Sequence, residues 1–153
     1  MKYLILLLPI FLYSWSFTES NFHKLSPEQR YNLDISYLVG EEKDLGLTLA
    51  AIAIVETRAT VSNDFNTNAV CGVHQIHTDH VNISCDALES NVYLSASLAR
   101  DNFLFWYNGP ANKSWRKALI MYNGGYRHNP HGQEYLKRIL SVFKVLKEQY
   151  ELQ

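Results

Sequence analysis

Apolar and polar residues run in blocks along this chain, and most blocks carry a helical period. The first block stands apart. Met1 to Ser16 holds 12 apolar residues in 16, opened by the single cation Lys2 and closed by Ser14-Trp15-Ser16. A charged start, an uncharged run from Tyr3 to Tyr13 and a small-x-small end form the pattern of a secretory signal peptide, with cleavage expected after Ser16. The run is shorter than the roughly 20 residues of a spanning helix, and Pro9 interrupts it, which leaves an uncleaved anchor or a buried N-terminal helix as the alternative.

Later blocks predict helices. Ser26-Pro27-Glu28-Gln29 offers a cap residue, a proline at the first helical position and Gln three after the cap, so a helix should start there. Tyr31, Ile35 and Leu38 continue it at helical spacing, and Gly40 is expected to stop it. LTLAAIAIVET, beginning near Leu45, is uncharged and alanine-rich, the signature of a buried helix. Arg58 to Asn82 has no sustained period and reads as loop with short helical turns. Helix is predicted again from Leu88 to about Tyr107, with Leu94 and Leu98 inward and Asn108-Gly109-Pro110 as its end. A short helix follows from Trp115 to Tyr122, closed by Asn123-Gly124-Gly125. The last helix, about Gln133 to Glu148, places Leu136, Ile139, Leu140, Phe143 and Leu146 on one face. No repeat, heptad or period-2 strand stands out, so the class is all-α.

Composition narrows the function. Fourteen Lys and Arg face 15 Asp and Glu, a formal charge of −1 that becomes −2 once Lys2 leaves with residues 1–16. No basic field exists to hold a polyanion, which argues against nucleic acid as a partner. The organisation expected is a signal peptide over 1–16, an N-terminal helical extension over 17–44 and a main domain over 45–153, with 17–153 as one globular monomer. Export would place it in the periplasm or outside the cell, touching the membrane only through the uncleaved signal. It also changes how Cys71 and Cys85 read: a disulfide would close a loop of 15 residues counted inclusively, worth ~3 kcal/mol of loop-closure entropy, and two buried thiols are the alternative. Asn82-Ile83-Ser84 and Asn112-Lys113-Ser114 match the glycosylation triplet, a frequent coincidence that is silent in a bacterial or phage product.

Three clusters carry candidate chemistry. Glu56 is the first charge after Asp44, at the end of the uncharged run Leu45 to Val55. Desolvation and the negative pole of its helix should raise its pKa, as a general acid at neutral pH requires, although Glu56 could also merely open the solvated loop beside Arg58. The second cluster is Cys71-Gly72-Val73-His74-Gln75-Ile76-His77, with His80 beyond. His74, His77 and His80 could bind zinc beside Cys71, but the stretch lacks a metalloprotease pattern and export tends to oxidise the cysteine, so no metal or other cofactor is expected. The third is Met121-Tyr122-Asn123-Gly124-Gly125-Tyr126, where glycines let a chain ligand approach and Tyr122 and Asn123 can hydrogen-bond to it. Tyr93, Trp106, Tyr107, Trp115 and Tyr126 could stack on sugars, although aromatics at helical spacing are more often core.

In that order the clusters resemble the soluble lytic transglycosylase domain of glycoside hydrolase family 23, the lysozyme-like group that includes goose-type lysozyme. Ala51 to Thr57 is similar to the family's apolar helix ending in Glu-Ser, Gly72 to Ile76 to its Gly-Leu-Met-Gln-Ile motif, and Met121 to Gly125 to its Ala-Tyr-Asn-Ala-Gly motif. Asn66 to Val70 resembles the Asn-Pro-x-Ala-Val segment, and Asn91 to Leu98 the helix between the later motifs. The likeness covers about Leu45 to Ile139. It implies an exported enzyme that cuts the glycan strands of peptidoglycan, with Glu56 as catalytic acid and Thr57, His74, Gln75, Tyr122 and Asn123 as substrate-binding residues. Thr57 replaces Ser, Val73 and His74 replace Leu-Met, Cys71 precedes the glycine, and Gly124 replaces Ala. A titratable His74 in the groove would add pH dependence to glycan binding.

The resemblance further implies that Glu56 protonates the bond between N-acetylmuramic acid and N-acetylglucosamine and then takes a proton from the muramoyl C6 hydroxyl, closing a 1,6-anhydro ring. An inverting muramidase would instead need a second carboxylate about 6.5 to 9.5 Å away to activate water, and Asp64 is the candidate. A non-catalytic module that only holds the wall is a further alternative.

Overall fold

The computed structural model describes residues 15–61, 69–125 and 131–151. All of the expected signal segment except Trp15 and Ser16 lies outside the described residues, as do Asp64, Tyr126 and Asn66 to Asn68. Among the described residues eight helices and one two-stranded hairpin are formed: α1 (Glu19–His23), α2 (Pro27–Glu41), α3 (Gly46–Thr57), β1 (Val70–Cys71), β2 (Ile76–His77), α4 (Thr78–Val81), α5 (Cys85–Ser90), α6 (Val92–Asn108), α7 (Trp115–Gly124) and α8 (Gly132–Glu151). The class is all-α, as the periodicity predicts.

The core is organised around α3. Ten of its 12 residues are buried, and a helix apolar on every side is stable only when enclosed. α2, α6 and α8 pack against it. Each buried Leu or Ile here, such as Leu49, Ile52 and Ile54, contributes roughly 2 kcal/mol through removal from water. α8 supplies Leu136, Ile139, Val142 and Leu146 to the same core. α7 is fixed to α3 by the Trp115 indole N–H, which donates to Thr48 Oγ1 at 3.0 Å, while the Trp115 ring meets Phe143 edge-on. Trp115 thereby takes part in the packing of α7 against α3 and α8.

Local rules set most boundaries. At α2 the Ser26 Oγ accepts from Gln29 N–H at 3.2 Å and Gln29 Oε1 accepts from Ser26 N–H at 2.8 Å, the reciprocal cap that the sequence announces. Gly40, however, does not stop α2. It lies within the last turn, where an added Cβ would fall 2.5 Å from the Leu45 carbonyl oxygen, so its role is close backbone approach between α2 and the start of α3. The helix expected from Leu88 is broken in two, because Asn91 leaves helical geometry and its side chain accepts from Leu94 N–H at 3.0 Å to cap α6. The short hairpin pairs Val70 with His77 and Cys71 with Ile76. Two-residue strands are too short to carry a period, so the sequence pattern missed it.

Candidate active site

Glu56 stands in the last turn of α3, at the mouth of the uncharged run that forms the molecule's centre. The helix ends abruptly after it. Arg58 and Ala59 both take left-handed backbone at φ 58°, a conformation costing of order 1 kcal/mol each for residues other than glycine. The turn is closed by Arg58 N–H donating to Ile54 O and Ala59 N–H donating to Ala53 O, both at 2.9 Å. Glu56 is left half-buried, facing a cleft of about 370 Å³.

That position perturbs its acidity. Burial disfavours the carboxylate and pushes its pKa from 4.5 up to about 7, against smaller downward pulls from the Tyr135 hydroxyl and the Arg138 guanidinium. The end of the helix dipole acts in the same direction as burial. A carboxyl with these properties is half protonated at neutral pH and can give or take a proton there.

Tyr135 and Arg138 come from α8 at i and i+3, the spacing that places both on one face. Tyr135 is buried, and its hydroxyl has no hydrogen bond of normal geometry. It lies beside Glu56 as a spare donor, and burial together with the Glu56 charge keeps it protonated by raising its pKa well above the usual value. Sequence reasoning missed both residues, because the α8 pattern there was read only for its apolar positions. A tyrosine and an arginine three apart at the border of that face were the available signal. Arg58 and Asn123 complete the polar lining of the cleft, with Ile54 and Val55 behind them; Trp15 adds an aromatic wall that the expected cleavage after Ser16 would remove.

The other expected site residues divide between cleft and scaffold. Asn123 is exposed and lines the Glu56 cleft. Thr57 is buried and donates to the Val73 carbonyl at 2.9 Å. Tyr122 donates to the His74 carbonyl at 3.1 Å, and burial and the nearby Glu56 charge raise its pKa well above the usual value. Together Thr57 and Tyr122 clamp two successive carbonyls of the Gly72–Gln75 turn between α3 and α7. Within that turn Gln75 adopts φ 51° and its side-chain amide donates to Gly72 O at 3.1 Å. Thr57, His74, Gln75 and Tyr122 stand outside the lining of the cleft in front of Glu56.

His74 departs furthest from expectation. It has no exposed surface, its Nδ1 pairs with Ser95 Oγ at 3.1 Å, and Nε2 is buried without a partner. Burial pushes its pKa down to about 3, so the imidazole stays neutral through the physiological range and presents no titratable donor to a groove. Val73 and Ile76, to either side in the chain, are buried with it.

Cys71 and Cys85 form a disulfide with Cα atoms 5.3 Å apart, tying the hairpin to the first turn of α5. Gly72 beside it has φ 76°, and a Cβ there would lie 3.0 Å from Leu88 O and 3.1 Å from Ser95 Oγ. Glycine is therefore required at that position by both backbone and space. His77 and His80 lie with ring centroids 5.5 Å apart, but among the described residues the histidines form no three-ligand cluster. The group with that geometry is Cys71, Cys85 and Glu89, whose sulfurs are spent on each other.

Comparison with protein-family models, curated proteins and solved structures yields no match to this chain. The site brings together a proton donor tuned to neutrality, a phenolic donor beside it, two guanidinium groups and an amide around one cleft.

Proposed function

We propose that this protein is an exported, lysozyme-like lytic transglycosylase that cleaves peptidoglycan glycan strands. The observation that carries the reading is the Glu56 carboxyl, held near pH 7 by burial at the wall of an open cleft. Cleavage of a glycosidic bond at neutral pH needs a carboxyl that is protonated yet able to lose its proton. Support for export comes from the Cys71–Cys85 disulfide, a bond that persists in oxidising compartments. Among the described residues, no helix is long and apolar enough to cross a membrane.

In the proposed reaction Glu56 donates its proton to the oxygen linking N-acetylmuramic acid to N-acetylglucosamine, and the bond breaks through an oxocarbenium-like state. The Glu56 carboxylate then accepts the proton of the muramoyl C6 hydroxyl as that oxygen bonds to C1. Glu56 returns to its protonated form, and no water enters. Between the two transfers the carboxylate is stabilised by Arg138 and by the Tyr135 hydroxyl, whose proton has no other acceptor. One carboxylate suffices for this route, and Glu56 is the one acid among the described residues lining the cleft.

Mass spectrometry of muropeptides released from purified sacculi tests the proposal. Anhydromuramic ends are expected. Reducing ends heavier by one water would replace it with the inverting muramidase, and Asp64→Asn should then abolish turnover. Pelleting with sacculi without any release would leave only a wall-binding module.

A further inference from the structure

We propose that the Arg58 and Arg138 wall of the Glu56 cleft is a subsite for a carboxylate carried by the ligand. Its glycan form rests on the function proposed above; the subsite itself does not.

Three observations converge on it. Both guanidinium groups line the cleft that holds Glu56, Arg58 from the left-handed turn after α3 and Arg138 from α8. Among the described residues neither takes part in an ion pair, whereas Arg100 is tied to both Glu42 and Asp101. Arg138 Nε is also buried without any hydrogen-bond partner, and a buried donor left unmet is rare because it forfeits its hydration with nothing in return. A guanidinium meets a planar acceptor lying in its own plane through paired N–H donors.

A carboxylate fits that edge better than a dianion. Two arginines against one partly ionised Glu56 leave room for about a single negative charge, and a dianion would be repelled by the Glu56 carboxylate. Occupation has a chemical consequence. An anion beside Arg138 offsets the pull that this guanidinium exerts on Glu56, so ligand binding shifts Glu56 further toward its proton-donating form. Among the described residues, the charged and titratable groups facing Glu56 are Arg138 and Tyr135 on α8, Tyr122 on α7 and Arg58 on its own turn.

Of the two alternating wall sugars, muramic acid alone bears a lactyl ether, whose carboxyl is a free anion on strands without peptide and an amide where a peptide is attached. Recognition at Arg138 would therefore set strand register and place the muramoyl residue against Glu56. The carboxylate could be the lactyl group itself or one belonging to an attached peptide.

The test follows the Arg138 Nε–H resonance of the full chain by NMR during titration with D-lactate, N-acetylmuramic acid, N-acetylglucosamine, muramyl dipeptide and inorganic phosphate. D-lactate and N-acetylmuramic acid should shift that resonance. N-acetylmuramic acid should bind about tenfold more tightly than N-acetylglucosamine, the worth of one charge-assisted hydrogen bond. Arg138→Gln should bring the ratio to about one and Arg138→Lys should restore part of it; Arg58→Gln gives an independent reading if Arg138→Gln loses its helical circular dichroism. Tighter binding of the dipeptide than of N-acetylmuramic acid assigns the peptide carboxylate, and weaker binding assigns the lactyl group. An Arg138-dependent response to D-lactate with no response to either sugar would retain the subsite and remove the wall-glycan function. No shift with D-lactate, an unchanged ratio in Arg138→Gln, or phosphate binding as tightly as D-lactate would overturn the proposal.

Discussion

Glu56 and His74 are both ionisable groups pulled out of water, and their surroundings give them opposite uses. At each, burial favours the neutral form, raising the acid to about 7 and lowering the base to about 3. Glu56 ends α3 at an open cleft, with Arg138 and Tyr135 ready to receive a charge. His74 is sealed beside Ser95 and meets no charge at all. Burial by itself only makes a neutral group. Access to a ligand and a prepared counter-charge turn it into a proton donor at physiological pH.

Substitution of Glu56 breaks that contrast most severely. Glu56→Gln should lower glycan cleavage by about three orders of magnitude, within the range of general acid catalysis, while the helical circular dichroism signal is retained. The same change should stabilise the fold. A carboxyl whose pKa is raised on folding is stabilising below its unfolded value of 4.5 and loses that contribution as pH climbs through about 7. Above pH 8 the variant should therefore exceed the parent by up to about 3 kcal/mol in denaturant unfolding. Parent activity should likewise decline as pH rises above about 7, where the donor is ionised.

Loss of the disulfide comes next. Cys71→Ser with Cys85→Ser should cost about 3 kcal/mol from the freed loop, read as a lowered urea midpoint. It should also loosen the Gly72–Gln75 turn that Thr57 and Tyr122 hold.

For His74 the pH direction reverses. A base with a depressed folded pKa contributes stability above its unfolded value of 6.5 and loses it as pH falls toward about 3. Acidification from pH 6.5 to pH 4 should therefore destabilise the parent through His74, and His74→Gln should remove most of that sensitivity while leaving the pH profile of activity in place. A shifted activity profile would put His74 in contact with the reaction and collapse the distinction from Glu56. The smallest effect is expected for Tyr135→Phe. Removing one spare donor should raise the Glu56 pKa by less than about one unit and reduce turnover by roughly tenfold, the scale of one hydrogen bond to a charged group.

How much of this was legible beforehand depended on how local each cause is. The Ser26 cap, the buried run of α3 and the apolar face of α8 are written in neighbouring residues, and the helices form where those signals lie. Glu56 could be singled out because its isolation after 11 uncharged residues is itself a sequence feature. Tyr135 and Arg138 could not, since they reach Glu56 only through the packing of α8 on α3, some 80 residues later in the chain. The buried place of His74 is hidden from the sequence for the same reason: whether a side chain of the turn faces out or in is decided by Ser95 and the elements around it. Thr57 and Tyr122 donate to the Val73 and His74 carbonyls, work the sequence does not separate from sugar binding, because a hydroxyl that could bind a sugar can equally hold a carbonyl.

Direct titration of the Glu56 side-chain carboxyl by carbon NMR reaches the centre of this account. An inflection near pH 7 is predicted, moving lower in neither His74→Gln nor Asn123→Ala. An inflection near 4.5, the value of a solvated glutamate, would mean that the carboxyl is hydrated and would contradict its role as a neutral-pH acid.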